Sequence, residues 1–259
     1  MEHIASFSGG KDSVAMVLKL IEHNKPLDRI AFIDTGLDFG EQKNVIKICE
    51  RKFKELKPDL KFDYIKPEKT FEEQFYTKIR KGENRGQIYG WPYTIGFNSW
   101  CNDRLKIRPF KKYLKQFKEE VIIYLGIAAD EPNRLKKLQP NRRAPLAEWG
   151  MTEEDCLKYI EEKGFRNPMY WKFERLGCYL CPKQNLDSLR SLRKHYPYFW
   201  GKMLRMDKDS PVPFKADGTT AWDLERRFKY EDMNTLDKYN IPLVESRLFY
   251  FNKQIKICI

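Results

Sequence analysis

Apolar residues along this chain fall into two kinds of run that alternate. Short stretches rich in β-branched and aromatic side chains read as strands: Ile4-Ala5, Arg29-Ile30-Ala31-Phe32-Ile33, Lys61-Phe62-Asp63-Tyr64-Ile65 and Val121-Ile122-Ile123-Tyr124-Leu125. Between them, Val14 to Ile21, Glu41 to Leu56, Phe71 to Ile79 and Pro109 to about Phe117 have the composition and spacing of helices. Strands alternating with helices predict an α/β fold with a mostly parallel sheet and helices on both faces. The segment 82–99 is different: it is crowded with breakers, among them Gly82, Gly86, Gly90, Pro92 and Gly96, and reads as a long loop that covers a site. Past about residue 145 the chain becomes aromatic, basic and poor in β-branched runs. A helix begins at Met151, with Thr152 as its cap and Asp155 three residues on. Leu186, Leu189, Leu192, Tyr196, Phe199, Trp200 and Leu204 space one or two amphipathic helices, and Trp222 to Phe228 adds a short one. A boundary near 145 therefore divides residues 1–145 from a mainly helical region, 146–259.

The candidate chemistry sits where these runs break. Ser8-Gly9-Gly10-Lys11-Asp12-Ser13 follows the first strand and opens the first helix. Adjacent glycines let several N–H groups converge on one anion at the positive end of a helix, which makes a phosphate cradle. The spacing is neither Gly-x-x-x-x-Gly-Lys-Ser/Thr nor Gly-x-Gly-x-x-Gly. A plain tight turn capped by Asp12 or Ser13 is the bland alternative. Asp34-Thr35-Gly36 ends the second strand, where open α/β sheets bind ligands; Asp34 can hold Mg²⁺ or a ribose hydroxyl there, or cap the next helix. Gly126 and, beyond it, Asp130, Glu131 and Arg134 form a second strand-end turn, with Arg134 an anion ligand or a surface ion-pair partner. Gly177-Cys178-Tyr179-Leu180-Cys181-Pro182 puts two thiolates on one side of a turn, half of a zinc or iron–sulfur site and too few for either alone. A thioredoxin-type dithiol is disfavoured by Pro182 and by the lack of a preceding strand.

Composition narrows the partners. The chain has 259 residues, 49 Lys plus Arg against 37 Asp plus Glu, and a formal charge of +12, an excess that favours polyanions. The arginines and lysines near 190–205 could grip a nucleic-acid backbone, although a solvated face over a core stripe is the plainer reading. No apolar run approaches the ~18 residues needed to span a bilayer, and no leader pattern opens the chain, so a cytoplasmic protein without membrane contact is expected. Six cysteines in that compartment argue for metal, redox or buried thiols rather than disulfides.

Taken together these motifs resemble the phosphoadenosine phosphosulfate (PAPS) reductase-like family of the ATP pyrophosphatase superfamily. Ser-Gly-Gly-Lys-Asp-Ser looks like its pyrophosphate loop, the string from Phe32 to Glu41 like its Asp-Thr-Gly segment, Trp100-Cys101 with Leu105-Lys106 like its Trp-Cys segment, and the Cys-x-x-Cys-Pro turn like its second cysteine pair. The resemblance runs to about Trp200. It implies the Rossmann-like, adenine nucleotide alpha hydrolase-like version of the fold, with residues 1–145 as the nucleotide-binding domain. It implies ATP and Mg²⁺ as ligands, bound by Ser8, Gly9, Gly10, Lys11, Asp12, Ser13, Asp34, Thr35, Gly36 and Gly126, with Lys11, Asp12 and Arg134 catalytic. It also implies Cys101 as a third thiol beside Cys178 and Cys181, holding a [4Fe-4S] cluster, with Zn²⁺ as the alternative. Cys156, His195 or an open position would be the fourth ligand.

The chain departs from the family at Ala128, where a basic residue often follows the glycine by two places, and Cys258 lacks the Glu-Cys-Gly surround of the reductase nucleophile. The full phosphate loop favours ATP as substrate. The leading expectation is cleavage of ATP to an adenylate and pyrophosphate, for adenylation-coupled sulfur transfer or nucleic-acid modification, with RNA or DNA as acceptor and a sulfur-donor protein as partner. A PAPS or adenylyl-sulfate reductase is the alternative; a non-catalytic nucleotide- or nucleic-acid-binding module is the second.

Overall fold

The computed structural model describes residues 1–92 and 99–237. Gly96, the tail from Phe249 and Cys258 lie outside the described residues. Five strands, β1 (Glu2–Phe7), β2 (Arg29–Ile33), β3 (Lys61–Ile65), β4 (Val121–Leu125) and β5 (Arg142–Arg143), form one sheet in the order β3-β2-β1-β4-β5, with every pairing parallel. The fold class is thus the expected one. The alternation of side chains explains why both faces are covered. Ala5, Phe7, Ile30 and Phe32 point to one face and join α1 (Lys11–Glu22) and α2 (Gly40–Leu56). Ile4, Ala31 and Ile65 point to the other. A strand buried on both sides needs the near-continuous apolar run that these sequences show.

A short α3 (Phe71–Phe75) packs with Trp91 and Trp100, apart from the second face. That face is covered by one bent rod, whose parts are α4 (Trp100–Asn102), a π-helical turn Asp103–Ile107 and α5 (Arg108–Leu114). The helix anticipated at Pro109 therefore begins nine residues earlier: Pro109 sits at the second position of α5, where its missing N–H costs nothing, and does not break the rod. Phe110, Tyr113 and Leu114 of α5 pack on Ile4, Ala31 and Ile65.

Beyond β4 come α6 (Pro132–Leu135), α7 (Pro145–Glu148) and α8 (Glu153–Glu162). Thr152 caps α8 as anticipated: its hydroxyl accepts the Asp155 N–H at 3.2 Å, and the Asp155 carboxylate accepts the Thr152 N–H at 2.9 Å. Leu146, Cys156 and Ile160 of α7 and α8 belong to the core around α1, so the division anticipated at 145 runs through that core. A second core gathers Leu37, Phe71, Phe75, Trp91, Trp100 and Leu105 with residues of α9 (Leu186–His195), α10 (Pro197–Asp209) and α11 (Ala221–Asp237). These helices and the Cys-x-x-Cys turn before them form the smaller, mainly helical, cysteine-bearing part of the fold. Among the described residues no helix is long and apolar enough to cross a membrane.

The arginines of α9 serve this helical part. Arg190 forks to Glu231 at 2.7 and 3.0 Å, and Arg193 meets Glu225 at 2.8 Å and Asp232 at 2.6 Å, so they grip α11 rather than standing free. Arg190 and Arg227 hold the Glu231 carboxyl at about 2. A depressed carboxyl contributes stability above its unfolded value, about 4.3, and loses it as pH falls toward 2. Acid titration of thermal unfolding should therefore show the midpoint falling across that window, and Arg190→Gln should flatten the fall.

Candidate nucleotide and cysteine site

The crevice at the carboxyl ends of β1 and β2 is built first by the turn that leaves β1. Gly9 takes a left-handed conformation, φ +72°, and Gly10 precedes α1 in extended conformation. A Cβ on Gly9 would lie 2.6 Å from Gln42 Nε2 and 2.8 Å from Ile46 Cγ1, so only glycine fits. The Ser13 hydroxyl donates to the Gly10 carbonyl at 2.9 Å and accepts the Ser8 N–H at 3.2 Å, which closes the turn over the first helical residues. This leaves the loop preorganised around the positive end of α1. Lys11 Nζ lies 3.2 Å from Asp12 Oδ1 and also donates to Glu153. Burial opposes the charge on Lys11, but Glu153 and Asp12 outweigh it and raise its pKa. Burial pushes the Asp12 carboxyl up against the pull of Lys11, and Asp12 Oδ1 meets Lys11 as an ion pair without a hydrogen bond of good geometry. A buried carboxylate oxygen held by charge alone, beside a loop at the positive end of a helix, fits a Mg²⁺ ligand once Lys11 turns to an anion.

Gly126 shows why the end of β4 approaches the loop. A Cβ there would meet Ser13 N at 3.0 Å and the Asp12 carbonyl carbon at 3.1 Å, both backbone, so the missing side chain sets the packing of β4 on α1. Arg134 is placed differently from the anion-ligand expectation. It is exposed, and its guanidinium lies 2.7 Å from both carboxylate oxygens of Glu131; it lines neither of the cavities described next. The acid three residues before it on the same short turn was the signal for this pairing.

A cavity of about 260 Å³ opens over the loop, lined by Ser8 and Gly10, by Thr35 and Asp38 after β2, and by Gly177 and Cys178 from the helical part. Asp34 is just outside it; its Oδ1 accepts the Gly36 N–H at 3.0 Å and so braces the turn that presents Thr35. Gly36, φ +75°, meets nothing a Cβ would hit. Asp38 lines the cavity instead, and burial together with Asp34 pushes its carboxyl up, with Lys106 and Lys43 opposing.

A second cavity, about 320 Å³, is lined by Cys101, Cys178 and Cys181 together with Lys106, Arg175 and Lys183. Thr35, Lys106 and Cys178 line both cavities, so the two share a wall. Burial pushes the Cys178 thiol up to about 11 and raises that of Cys101, while Lys106 favours both thiolates. Among the described residues no three His, Cys, Asp or Glu side chains are placed to hold a metal ion. A single tetrahedral ion with Zn–S bonds of about 2.3 Å needs its sulfurs within roughly 4 Å of one another. A cluster binds each thiolate to a separate iron and so asks for soft donors spread around one space; Cys101, Cys178 and Cys181 are the thiols that line this cavity. Cys156 is fully buried in the core around α1 and His195 is exposed; neither lines the cavity that the three thiols share.

A network joins the two parts of the fold that residue patterns did not reveal. Tyr170, in the turn Pro168–Trp171, accepts the Lys11 N–H on its hydroxyl at 2.8 Å. Gln42 Nε2 donates to the Ser8 carbonyl at 3.3 Å, and Asn167 donates to Gln42 Oε1. The phosphate loop is therefore braced from α2 and from the turn ahead of the Cys-x-x-Cys segment. These contacts span up to 159 residues of sequence, and no local pattern announces them.

The chain is similar to known proteins. Residues 2–184 match the model of a family described as the phosphoadenosine phosphosulfate reductase domain. An uncharacterised protein of Methanocaldococcus jannaschii is 28% identical over 212 residues, 77% of this chain, but the match spans only 40% of that relative's length. An adenosine 5'-phosphosulfate reductase of Staphylococcus epidermidis is 27% identical over 196 residues, 71% of this chain and 72% of the relative. Among solved structures, a phosphoadenylyl-sulfate reductase of Candida auris superposes with a TM-score of 0.46 at 13% identity, covering 69% of this chain and 81% of that one.

Proposed function

The chain belongs to the phosphoadenosine phosphosulfate reductase domain family, and from that premise we propose that it is an ATP-cleaving adenylation enzyme serving sulfur transfer or nucleic-acid modification. The observation that carries this reading is the shared wall: Cys178 lines both the space above the phosphate loop and the cavity of the three thiols. In the proposed reaction an acceptor oxygen attacks the α phosphorus of ATP. The bond to the β-phosphate oxygen breaks, and pyrophosphate leaves with that electron pair while the acceptor's proton passes to solvent. A sulfide from a donor then bonds to the activated carbon, its proton passes to solvent, and the carbon–oxygen bond breaks so that AMP departs with that electron pair.

Ser8 to Ser13 hold the β and γ phosphates, and Lys11 offsets the charge that develops on pyrophosphate. To do so it exchanges Glu153 for phosphate. Asp12, released from Lys11 as that side chain turns to phosphate, and Asp34 assist Mg²⁺. Lys106 is the cation already facing the cavity, and Arg134 would have to leave Glu131 to join it. A [4Fe-4S] cluster held by Cys101, Cys178 and Cys181 would supply an exchangeable site for sulfur. The match to an adenosine 5'-phosphosulfate reductase favours sulfonucleotide reduction as a second reading. Product analysis separates the two: AMP and pyrophosphate formed in equal amounts from ATP support adenylation. Release of ADP with phosphate, or sulfite release from adenylyl sulfate with no turnover of ATP, would rule it out.

A further inference from the structure

A basic hairpin stands beside the cysteine cavity and plays no part in the chemistry above. Lys78 and Ile88 pair antiparallel, the Ile79 N–H donates to the Gln87 carbonyl at 2.8 Å, and the Gly86 N–H donates to the Ile79 carbonyl at 2.9 Å. Lys78, Arg80, Lys81 and Arg85 are all exposed, against one acid, Glu83. Among the described residues none of these four cations has an ion pair or a side-chain hydrogen bond, in contrast to Arg190 and Arg193, which are held by α11. Like charges gathered on so short an arm repel one another and do nothing for the fold.

The base of the hairpin is continuous with the cavity wall. Its second strand runs through Tyr89, whose hydroxyl accepts an Arg104 N–H at 2.6 Å, to Gly90, whose carbonyl accepts the Trp100 indole N–H at 3.2 Å. Pro92, two residues on, lines the cavity beside Cys101. The cavity adds Lys106, Arg175 and Lys183, and among the described residues no carboxylate lines it.

We propose that this hairpin is an arm that grips the phosphodiester backbone of a single-stranded nucleic acid, one unit of which enters the cysteine cavity. The inference deepens the acceptor reading above and rests on it. The four arm cations do not line the cavity, so a ligand that engages both is longer than a monomer. At about 320 Å³, with Phe71, Leu105 and Leu180 among its walls, the cavity takes one flat apolar unit carrying negative charge nearby. A base held inside a duplex could not enter it. Gly82 and Gly86, both at positive φ, leave the arm's backbone open to close approach, and arginine matches phosphate bidentately.

The test is fluorescence anisotropy without ATP, using an oligouridylate of about 20 nucleotides, its deoxy counterpart and polyglutamate, over a series of salt concentrations. Each phosphate contact contributes about 0.7 to the slope of log K against log salt for a single strand. The combined variant Lys78→Gln, Arg80→Gln, Lys81→Gln, Arg85→Gln should bind more than tenfold more weakly, with a slope shallower by up to about 2.8. Equal loss for ribo- and deoxy-oligonucleotides assigns the contacts to the shared phosphodiester; a ribo preference adds the 2'-hydroxyl. An unchanged slope, or polyglutamate bound as tightly as the oligonucleotides, overturns the proposal. If the combined variant unfolds at lower temperature, Arg80→Gln alone carries the test, with an expected slope change of about 0.7. No turnover is involved, so a failure here is distinct from a failure of the ATP chemistry.

Discussion

Gly9→Ala is expected to weaken ATP binding more than tenfold and to lower the stability of the fold by about 2–5 kcal/mol. Two costs add. An alanine at φ +72° pays the left-handed penalty of about 1–2 kcal/mol, and its Cβ strikes Gln42 Nε2 at 2.6 Å and Ile46 Cγ1 at 2.8 Å. Neither neighbour can yield freely. Ile46 is buried in the core under α1, and Gln42 is tied to the Ser8 carbonyl and to Asn167. Relief therefore comes from displacing the loop, and the loop's N–H groups are the phosphate ligands in the proposed site. A tenfold loss of affinity corresponds to about 1.4 kcal/mol, well within the strain on offer. Gly150→Ala is the control, since Gly150 has φ +69° with nothing within 4 Å of its Cβ position. Thermal unfolding and calorimetric titration with ATP on both variants separate backbone strain from collision. Equal loss of stability in the two variants would remove the collision from the account, and undiminished ATP binding by Gly9→Ala would remove the loop from the nucleotide site.

How much of this was legible in the sequence depends on the range over which each signal acts. β4 was plain, because five apolar residues in a row need burial on both faces. The glycine turn between β1 and α1 was equally plain, because a strand, two glycines and a helix start lie within a dozen residues. The Thr152 cap works over three residues and was read correctly. Arg134 had two readings, an anion ligand or a surface ion-pair partner, and in the structure it pairs with Glu131 within one helical turn. The second core was not legible, since it is assembled from Leu37, Trp91, Trp100 and Leu105 together with α9 to α11, segments that share no period. Tyr170 and Gln42 were missed for the same reason: each touches the loop by a single hydrogen bond across more than thirty residues. Asp38 lay unremarked in a motif whose first aspartate drew attention, and the turn braced by Asp34 is what carries Thr35 and Asp38 to the cavity.

Cys178→Ala is expected to remove bound iron and acid-labile sulfide completely, from about four of each per chain after anaerobic purification. Among the described residues, three thiols around one cavity leave no spare thiol, and the fourth-ligand candidates Cys156 and His195 do not line it. Cys156→Ala should accordingly keep iron, sulfide and the visible absorption band, since that thiol packs in the other core. The comparison with Cys101→Ala is more searching. Cys101 lines only the cysteine cavity, whereas Cys178 lines the nucleotide cavity as well. Loss of iron in Cys101→Ala with ATP affinity intact, against loss of iron with altered ATP affinity in Cys178→Ala, would mark Cys178 as the point where the two cavities communicate. Stoichiometric zinc without sulfide in the wild type would instead make the thiols a clasp between the sheet and the helical part. Because ligating thiolates must be deprotonated and burial raises the Cys178 thiol to about 11 and the Cys101 thiol as well, uptake of iron by the apo chain should weaken progressively as pH falls from about 11 through neutrality.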